Sequence, residues 1–491
     1  MSAEYETRFE QDDTPREECG IFAVIRLDGE PDPTMADKAY RGLSGLQHRG
    51  EDAAGITVYA RKTRYKFHTY KDQGLISSVF ANGANLKYLP AESSLALAHT
   101  RYSTAGKSGD AAEKARRAHP HSSKRFDYMI AANGHMKQME KAGKSESDIE
   151  NLVDVIDARM TETGEDLKAS LLAILGQLDG GYGLIASDGN RLIAARDPWG
   201  LRPLVHATDG TYHYFSSEDS ALRIPSIGIG YGEVEEVPPG VMFTITPGEE
   251  IERDNIYPEP VAETALCSME SAYFARADST MAGRNVQEVR FNIGRLLAEQ
   301  EADGFDADIV IGVPDSGSDS AVAYAEVLGI PYRRAILKNA YIGRTFIQES
   351  QEARIDAAWL KFRVNPTLVE GKSVVVVDDS IVRGTNSKVI VQMLRQAGAT
   401  EVHLRAGFPK HRFSCVYGID TGNPAELIAN RMNDEEICKH LNIDSLGYIT
   451  PENLRQAISP KIGGICMACV TGEYPTAGRT TELPLPVIPR K

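Results

Sequence analysis

Four consecutive valines at positions 374–377 end at two aspartates, Asp378 and Asp379. An uninterrupted apolar run of this kind is typical of a strand buried on both faces of a sheet. Similar runs alternate with helical patterns, which predicts an α/β domain with a mainly parallel sheet. The predicted strands are 308–314, 373–379 and 401–407, and the predicted helices are Val286–Asp303, Ser318–Leu328 and Asn386–Ala397. Ligands bind such sheets at the carboxyl ends of the strands.

The loop that follows the valine run has the composition of a phosphate site. It contains Gly384 and leads into a helix, so backbone N–H groups of the loop and of the helix N-terminus can hold a phosphate. Asp378 and Asp379 would repel a bare phosphate, and they fit better as ligands of ribose hydroxyls or of a hard metal ion. Two adjacent aspartates at a strand end are usually solvated and bind nothing. The whole string 372–385, and not the aspartates alone, therefore favours a binding site for a phosphorylated ligand.

The first half of the chain has a different pattern. Short apolar strands separated by turns dominate it, with helical stretches at Asp148–Met160 and Asp166–Leu178, and this combination predicts an α+β domain. A chain of 491 residues is too long for one ordinary core, so two domains of roughly 200–250 residues are expected. The polar segment Thr246–Thr264 is the predicted linker between them.

Composition narrows the function classes. The formal net charge of −15 argues against nucleic acid as the main partner, because phosphate contacts need clustered Lys and Arg. No apolar run approaches the ~18 residues that span a membrane. The first eighteen residues lack the apolar centre of a secretory signal, so we expect a cytoplasmic protein.

Six cysteines in such a chain suggest thiol chemistry or metal binding more than a disulfide framework. Cys19 precedes an apolar strand, where a lone cysteine is usually a small buried hydrophobe. Cys466 and Cys469 form a C-x₂-C pair to which Cys267 and Cys415 could add two thiolates. Soft thiolates suit zinc and iron–sulfur clusters equally well, and the spacing does not choose between them. Cys438 lies in a helical stretch and is expected in the core.

Longer segments carry a resemblance to one family. The string 372–385 resembles the phosphoribosyltransferase loop, and segments 312–332 and 337–347 resemble parts of the glutamine phosphoribosylpyrophosphate amidotransferases. In the first half, further segments resemble the N-terminal-nucleophile glutaminase domain of the same family. They are LQHRGEDAAGI (46–56), HTRYSTAG (99–106), NGHM (133–136), SDIE (147–150) and RDPWGLRPL (196–204).

The resemblance implies a fold and an activity. Residues 19–250 would form a glutaminase domain of stacked antiparallel sheets between helices, and 264–491 a type I phosphoribosyltransferase domain. The enzyme would make 5-phosphoribosylamine, glutamate and pyrophosphate from glutamine, water and 5-phosphoribosyl-1-pyrophosphate, the first committed step of de novo purine synthesis. Family members are typically homotetramers inhibited by purine nucleotides.

The resemblance also assigns roles in the transferase half. Asp378 and Asp379 would face the ribose and Mg²⁺, with Ser316 beside the metal. The cradle of the 5-phosphate would consist of residues of the loop 380–385, among them Ser380, Arg383, Gly384 and Thr385. A loop that closes over the pyrophosphate would carry Lys338, Tyr341 and Arg344.

In the glutaminase half Cys19 would be the nucleophile. Residues 1–18 would be a propeptide, because a cysteine at the chain start can use its own α-amino group, which titrates near ~8, as the base. Asn133, through its amide, and Gly134, through its N–H, would stabilise the oxyanion. Arg101 would bind the α-carboxylate of glutamine, and Asp148 its α-ammonium.

Some positions depart from the usual pattern of the family. Ala132 and His135 flank Asn-Gly where the family commonly has His and Asn, and Glu51, Ile149 and Ala340 replace Gln, Thr and Arg. The four cysteines at 267, 415, 466 and 469 match the subgroup that carries a [4Fe–4S] cluster. The alternative is a regulator that binds the ribosyl donor, or an ammonia-only transferase with an impaired glutaminase. Asparagine and glucosamine-phosphate synthases are disfavoured, because they lack the phosphate loop.

Overall fold

The computed structural model describes ten stretches of the chain. They are 19–102, 115–142 (backbone alone at 140–142), 145, 147–230, 232–261, 263–339, 359–419, 421, 423–461 and 463–476. The predicted propeptide 1–18, Ala340, Tyr341 and Arg344 lie outside the described residues.

The first half contains thirteen strands and five helices among its described residues. The strands are β1 Gly20–Arg26, β2 Ala53–Tyr59, β3 Phe67–Gln73, β4 Leu95–Arg101, β5 His121–Ser122, β6 Met129–His135, β7 Gly181–Ser187, β8 Leu192–Arg196, β9 Val205–Thr208, β10 Tyr212–Ser216, β11 Glu235–Glu236, β12 Val241–Ile245 and β13 Glu252–Asn255. The α-helices are α1 Met35–Ser44, α2 Ile76–Val79, α3 Lys137–Ala142, α4 Asp148–Thr163 and α5 Leu167–Leu175. Short 3₁₀ segments occupy Gln47–Arg49, Ala81–Tyr88 and Asp219–Ala221.

These strands build two antiparallel sheets that pack face to face. One sheet has the order β11-β9-β10-β1-β4-β2-β3 and the other β13-β12-β8-β7-β6-β5. The layer between them is apolar, with Ile21 and Leu97 from the first sheet against Ala131 and Ile185 from the second. Helix α1 covers the outer face of the first sheet, and α4 and α5 cover the second. The predicted stack of antiparallel sheets between helices is confirmed.

The second half is built on a parallel sheet. Its strands are β14 Ala265–Cys267, β15 Thr280–Met281, β16 Arg284–Asn285, β17 Ile309–Gly312, β18 Ile336–Lys338, β19 Phe362–Val364, β20 Ser373–Asp378, β21 Glu401–Ala406, β22 Ser445–Tyr448 and β23 Gly464–Cys466. Its helices are α6 Val286–Ala298, α7 Ser316–Leu328, α8 Pro366–Val369, α9 Thr385–Gln396, α10 Ile428–Arg431, α11 Asp434–Leu441, α12 Pro451–Ile458 and α13 Ala468–Thr471, with a π-turn at Glu270–Phe274 and a 3₁₀ turn at Pro424–Glu426.

Strands β17-β20-β21-β22 lie in that order, all parallel. Val375 and Val377 of β20 pack against α6, α7 and α12 on one face of the sheet. Val374 and Val376 pack against α9 and α11 on the other. The four valines are therefore buried because both faces of this strand are covered, as the uninterrupted run predicts. None of the described helices is both long and apolar enough to cross a membrane.

Some predicted boundaries were wrong, among them the end of helix α5, which lies at Leu175 and not at Leu178. Helix α6 ends at Ala298 and not at Asp303, and the chain then turns at Gly304, which has a φ of +82°. The segment predicted as a linker contains strand β13, which pairs with β12 at the edge of the second sheet. An edge strand can be polar throughout because backbone hydrogen bonds hold it, so composition alone did not reveal it.

Candidate active sites and a cysteine-lined cavity

Cys19 immediately precedes strand β1, at one end of the layer between the two sheets. Along β1, Ile21, Ala23 and Ile25 all face that layer, and the same alternation places residue 19 on the same side. Arg49 donates from Nε to the backbone carbonyl of Cys19 at 3.2 Å. The position of the residue is therefore fixed by a buried guanidinium as well as by the strand that follows.

Arg101 ends the neighbouring strand, β4. Gly20 pairs with Thr100 in the β1–β4 ladder, so Arg101 lies beside Cys19. The turn before β2 packs closely on its backbone, and a Cβ on Gly50 would lie 2.7 Å from the carbonyl carbon of Arg101. Arg101, a half-buried residue, is thus carried by a tightly held strand end beside the candidate nucleophile.

Asn133 faces the same layer from the second sheet. Its register partner on β7 is Gly183, whose Cβ position would lie 3.7 Å from Cδ1 of Ile21. The side chain of Asn133 is 1% exposed, and its Nδ2 has no hydrogen-bond partner among the described residues. A buried amide donor without an acceptor costs about 1–3 kcal/mol, which makes a substrate acceptor the natural explanation.

Gly134 and Asp148 complete this end of the layer. Gly134 has a φ of +125°, a backbone conformation that residues with a side chain rarely adopt. Asp148 begins helix α4, where Ser147 caps the helix by accepting from Glu150 N. Its carboxylate accepts from Met136 N at 3.1 Å and lies 3.7 Å from Nδ1 of His135, one of the residues that depart from the family pattern.

A cluster of three buried histidines lies beneath Arg101 and was not identified in the sequence. The ring centroids of His99 and His119 are 4.1 Å apart, and those of His119 and His121 are 4.7 Å apart. Burial lowers the pKa of His99 to about 3, and it lowers the pKa of the other two well below the usual value. The cluster is therefore neutral at physiological pH and adds no charge to the site.

The second group of predicted residues meets at the carboxyl edge of the parallel sheet. Asp378 ends β20, Asp379 follows, and the Oγ atoms of Ser316 and Ser380 both donate to the Asp379 carboxylate. Gly317 allows this approach, because a Cβ there would lie 2.7 Å from the carbonyl oxygen of Val377. Burial raises the pKa of Asp379, and the hydrogen bonds from the two serines oppose the rise.

The loop that follows the aspartates leads into helix α9 at Thr385. Gly384 caps this helix with a φ of +85°, so the N-terminus of a twelve-residue helix points into the loop. Arg383 donates to Glu426 at 3.1 Å, and Lys338 lies 2.5 Å from Asp315. The structure thus brings together the carboxylates, Ser316 and the loop 380–385, and the roles assigned to them stay predictions.

Four cysteines line one cavity between the two halves. Its lining residues are Leu201, Arg202, Cys267, Met269, Cys415, Tyr417, Ile419, Thr421, Cys466, Ala468 and Cys469. Cys267 and Cys466 are register partners in the parallel β14–β23 pair, and Tyr417 N donates to Cys415 Sγ at 3.3 Å. Cys438 is half-buried against the core of α9 and α11, as predicted.

Burial raises the pKa of the Cys466 thiol to about 12, and it raises the pKa values of Cys267 and Cys469. Within the part of the chain that the structure describes, no three His, Cys, Asp or Glu side chains are grouped to hold a single metal ion. The four thiols all line the wall of the cavity. Zinc and iron–sulfur clusters are both held by thiolates.

Two family models match the chain. Residues 115–224 match the glutamine amidotransferase domain, and residues 284–411 match the phosphoribosyl transferase domain. These matches coincide with the sandwich of sheets and with the parallel sheet. The fold and its two sites define a glutamine amidotransferase joined to a phosphoribosyltransferase.

Relatives match both halves at once. The amidophosphoribosyltransferase of Methanocaldococcus jannaschii is 40% identical over 93% of this chain and 98% of its own length, and that of Bacillus subtilis is 39% identical over 94% of each. A solved structure of the B. subtilis enzyme, glutamine phosphoribosylpyrophosphate amidotransferase complexed with ADP and GMP, aligns with a TM-score of 0.79 at 37% identity, covering 93% of this chain and 97% of that one. A structure described as the allosteric regulatory enzyme of purine biosynthesis aligns at 0.80 and 36%, covering 93% and 96%.

The chain therefore belongs to the amidophosphoribosyltransferases. It forms 5-phosphoribosylamine, glutamate and pyrophosphate from glutamine, water and 5-phosphoribosyl-1-pyrophosphate, and it acts in purine biosynthesis.

Proposed function

We propose that the two half-reactions take place at the two groups of residues described above. Glutamine is hydrolysed at Cys19, and the ammonia displaces pyrophosphate from C1 of the ribosyl donor at the edge of the parallel sheet. The observation that supports this most strongly is the buried Nδ2 of Asn133, which faces the same layer as Cys19. Such a donor is in place before any negative charge develops on the substrate.

In the glutaminase reaction the thiol of Cys19 attacks the side-chain carbonyl carbon of glutamine. The thiol proton passes to the α-amino group of Cys19 and then to the departing ammonia. Asn133 Nδ2 and the N–H of Gly134 stabilise the oxyanion at the carbonyl oxygen. Arg101 holds the α-carboxylate of glutamine and Asp148 its α-ammonium. Water then cleaves the thioester and releases glutamate.

This chemistry needs a free amino group on Cys19, so we propose that residues 1–18 are removed. Arg49 then holds a chain terminus in place through the Cys19 carbonyl. Intact-mass measurement of fully active enzyme should give a chain that begins at Cys19. Retention of Met1 or Ser2 in that enzyme would contradict the proposal. A glutamine analogue with an electrophilic diazoketone should label the peptide that begins with Cys19 and no other cysteine peptide.

In the transfer reaction we propose that Asp378 and Asp379 face the ribose and a Mg²⁺ ion, with Ser316 beside the metal. The oxygen donors gathered at the end of β20 suit a hard cation. Bound Mg²⁺ would neutralise charge on the pyrophosphate leaving group. Ser380, Arg383, Gly384 and Thr385 hold the 5-phosphate.

We propose that Lys338, the last residue of strand β18, binds the pyrophosphate of the donor. The resemblance would add Tyr341 and Arg344, which lie outside the described residues, to a loop that closes over the pyrophosphate and excludes water. Lys338 is paired with Asp315 in the described structure. Calorimetric titration with the ribosyl donor and Mg²⁺ should show weaker binding for Lys338→Ala than for the wild-type enzyme. Unchanged binding would remove Lys338 from the donor site.

We propose that the cysteine-lined cavity holds a [4Fe–4S] cluster through Cys267, Cys415, Cys466 and Cys469. Four thiols around one largely apolar cavity are the donor set that such a cluster uses. The cluster would tie the segment Gly463–Tyr474 to the rest of the transferase domain. Zinc would be the alternative occupant.

Iron and acid-labile sulfide analysis of anaerobically purified protein distinguishes the two metals. Four irons and four sulfides per chain are the expected result. Cys466→Ser should lose both, whereas the matched control Cys438→Ser should keep them, because Cys438 packs in a different core. Stoichiometric zinc without sulfide would contradict the cluster.

We propose a glutaminase domain that extends from 19 beyond the expected limit of 250 to include strand β13, and a transferase domain of 264–491. We also propose a homotetramer, a cytoplasmic location and inhibition by purine nucleotides. ADP and GMP are present in the solved structure of the B. subtilis relative. Light scattering would test the tetramer, and titration of activity with AMP, ADP and GMP would test inhibition.

A further inference from the structure

Arg49 connects three parts of the molecule through one rigid group. Its Nε donates to the carbonyl of Cys19, its Nη1 lies 2.5 Å from Oε1 of Glu218, and its Nη2 lies 3.2 Å from both carboxylate oxygens of Glu270. A guanidinium is planar and presents its donors in a fixed fork. A displacement of any one partner therefore rotates the plane and moves the others.

Glu270 belongs to the transferase half, in the π-turn 270–274 that follows Cys267. It also accepts from Nη1 of Arg202 at 3.4 Å, so it lies between two arginines of the glutaminase half. The side chains of Arg49, Glu218 and Glu270 are fully buried, and that of Arg202 is 1% exposed. Each of the two buried carboxylates is paired with an arginine, and the imidazole of His48 also lies 2.7 Å from Oε1 of Glu218. Pairing of this kind is what allows charged groups to be buried away from water.

Arg202 extends the network to the cysteine-lined cavity, which it lines. Its Nε and Nη2 donate to the carbonyl of Tyr417 at 3.1 and 2.8 Å, and Tyr417 N donates to Cys415 Sγ. The next residue, Gly418, has a φ of +105°, and a Cβ there would lie 3.1 Å from the carbonyl carbon of Gly134. One transferase segment thus contacts both Arg202 and the glycine proposed for the oxyanion site.

From these contacts we propose that Glu270 is a positioning residue for the glutaminase nucleophile, and that Arg202 makes this position depend on an intact cysteine-lined cavity. The proposal rests on the role assigned above to Cys19. Glu270 touches no substrate. It orients Arg49, and Arg49 orients the backbone of Cys19, which carries both the thiol and the α-amino base.

Glu270→Gln tests the proposal with three measurements. Turnover with saturating glutamine should fall roughly 10- to 100-fold, because a displacement of about 1 Å at a reacting group has an effect of that size. The KM for glutamine should change little, because Arg101 and Asp148 are untouched. Turnover with ammonium as the nitrogen source should stay within about twofold of wild type, and alkylation of Cys19 by iodoacetamide should slow.

Glu301→Gln is the matched control. Glu301 is another carboxylate of the transferase half that pairs with a buried arginine, with Nη2 of Arg405 at 3.0 Å from its Oε2. It accepts hydrogen bonds from Arg405 and Tyr324, neither of which belongs to the Arg49 network. It should lower turnover with glutamine and with ammonium by the same factor, if it lowers either. Arg202→Lys serves as a second variant should Glu270→Gln fail to fold, since it keeps the buried positive charge. Arg202→Lys should lower the ratio of glutamine-dependent to ammonium-dependent turnover, as Glu270→Gln does.

Coupling to the cavity is tested by combining variants. Cys466→Ser should slow alkylation of Cys19 in the wild-type background but should have no further effect on it in Glu270→Gln. Additive effects would contradict the coupling. Equal losses of glutamine and ammonium turnover in Glu270→Gln, or a change in KM alone, would overturn the positioning role. If Cys19→Ala itself left glutamine turnover intact, the proposed nucleophile would be wrong, which is a different failure.

Discussion

The Cα of Gly134 lies so close to the carbonyl of Gly181 that a Cβ at residue 134 would be 2.0 Å from that oxygen. The neighbouring side chain, Asn133, is buried with an amide donor that no described residue satisfies. The two donors proposed for the oxyanion therefore lie on a strand whose backbone has no room to shift. A site of this kind stabilises charge without reorganising during the reaction.

Gly134→Ala should abolish most of the glutamine-dependent turnover, by about 100-fold or more, because the added methyl must displace the strand that carries the N–H donor. Turnover with ammonium should be retained. The comparison is a steady-state assay of pyrophosphate release with each nitrogen source. Gly164→Ala is the control, since Gly164 also has a positive φ, +73°, but a Cβ there meets nothing within 4 Å. Equal glutamine-dependent turnover in Gly134→Ala and Gly164→Ala would argue against the oxyanion role of Gly134.

Arg101→Lys should raise the KM for glutamine roughly 10- to 100-fold while kcat changes less. Lysine keeps the charge but loses the planar pair of donors that fits a carboxylate, and a hydrogen bond to a charged group contributes about 1.5–3 kcal/mol. Turnover with ammonium should be unchanged. A fall in kcat at unchanged KM would place Arg101 in the chemical step instead of in glutamine binding.

As the pH falls, donor binding should weaken at a higher pH than it would if Asp379 had the pKa of an ordinary aspartate. Burial raises the pKa of Asp379, so this carboxyl is protonated at a higher pH than an exposed one and then no longer attracts Mg²⁺. Ser316→Ala removes a hydrogen bond that favours the charged form, so the loss of binding should move to still higher pH. Calorimetric titration with donor and Mg²⁺ at a series of pH values, with Ser318→Ala as control, measures the shift. An unshifted profile would contradict the contact between Ser316 and Asp379.

Glu218 should make the enzyme less stable in acid. Burial alone would raise the pKa of Glu218, but His48 and Arg49 outweigh it and hold the pKa below the ordinary value. The stabilisation is therefore complete above the unfolded-state pKa of about 4.3 and is lost as the pH falls toward the folded-state pKa. Glu218→Gln should cost about 3–5 kcal/mol at neutral pH. In this variant the urea concentration at the midpoint of unfolding should also depend less steeply on pH below about 4.3.

How far the sequence predicts the structure depends on how local each feature is. The valine run, the two aspartates and Gly384 are neighbours in the chain, so their arrangement as strand, edge and loop followed from the pattern alone. The resemblance, and not the local pattern, pointed to Ser316, whose Oγ donates to Asp379. It also pointed to the four cysteines that line one cavity. The roles that the resemblance gives these residues stay predictions.

Other features depend on contacts between distant residues. Arg49 and Glu270 are 221 positions apart, and in the sequence both look like ordinary charged residues. Arg49 follows Gln47 and His48 in a polar stretch, so its neighbours in the chain did not indicate a buried charge. The three histidines come together because the two sheets stack, which no single strand reveals. Strand β13 escaped prediction because backbone pairing, and not side-chain burial, holds it.

The most direct test of the account is pyrophosphate release from the ribosyl donor, measured anaerobically with glutamine and then with ammonium, for the wild-type enzyme and Cys19→Ala. We expect the wild-type enzyme to use both nitrogen sources and Cys19→Ala to use ammonium alone, because the transfer site at Asp378 and Asp379 does not include the thiol. Two results would contradict the claim that ammonia released at Cys19 is used at a separate transfer site. One is undiminished glutamine turnover in Cys19→Ala, and the other is loss of both activities in a folded variant that still binds the donor.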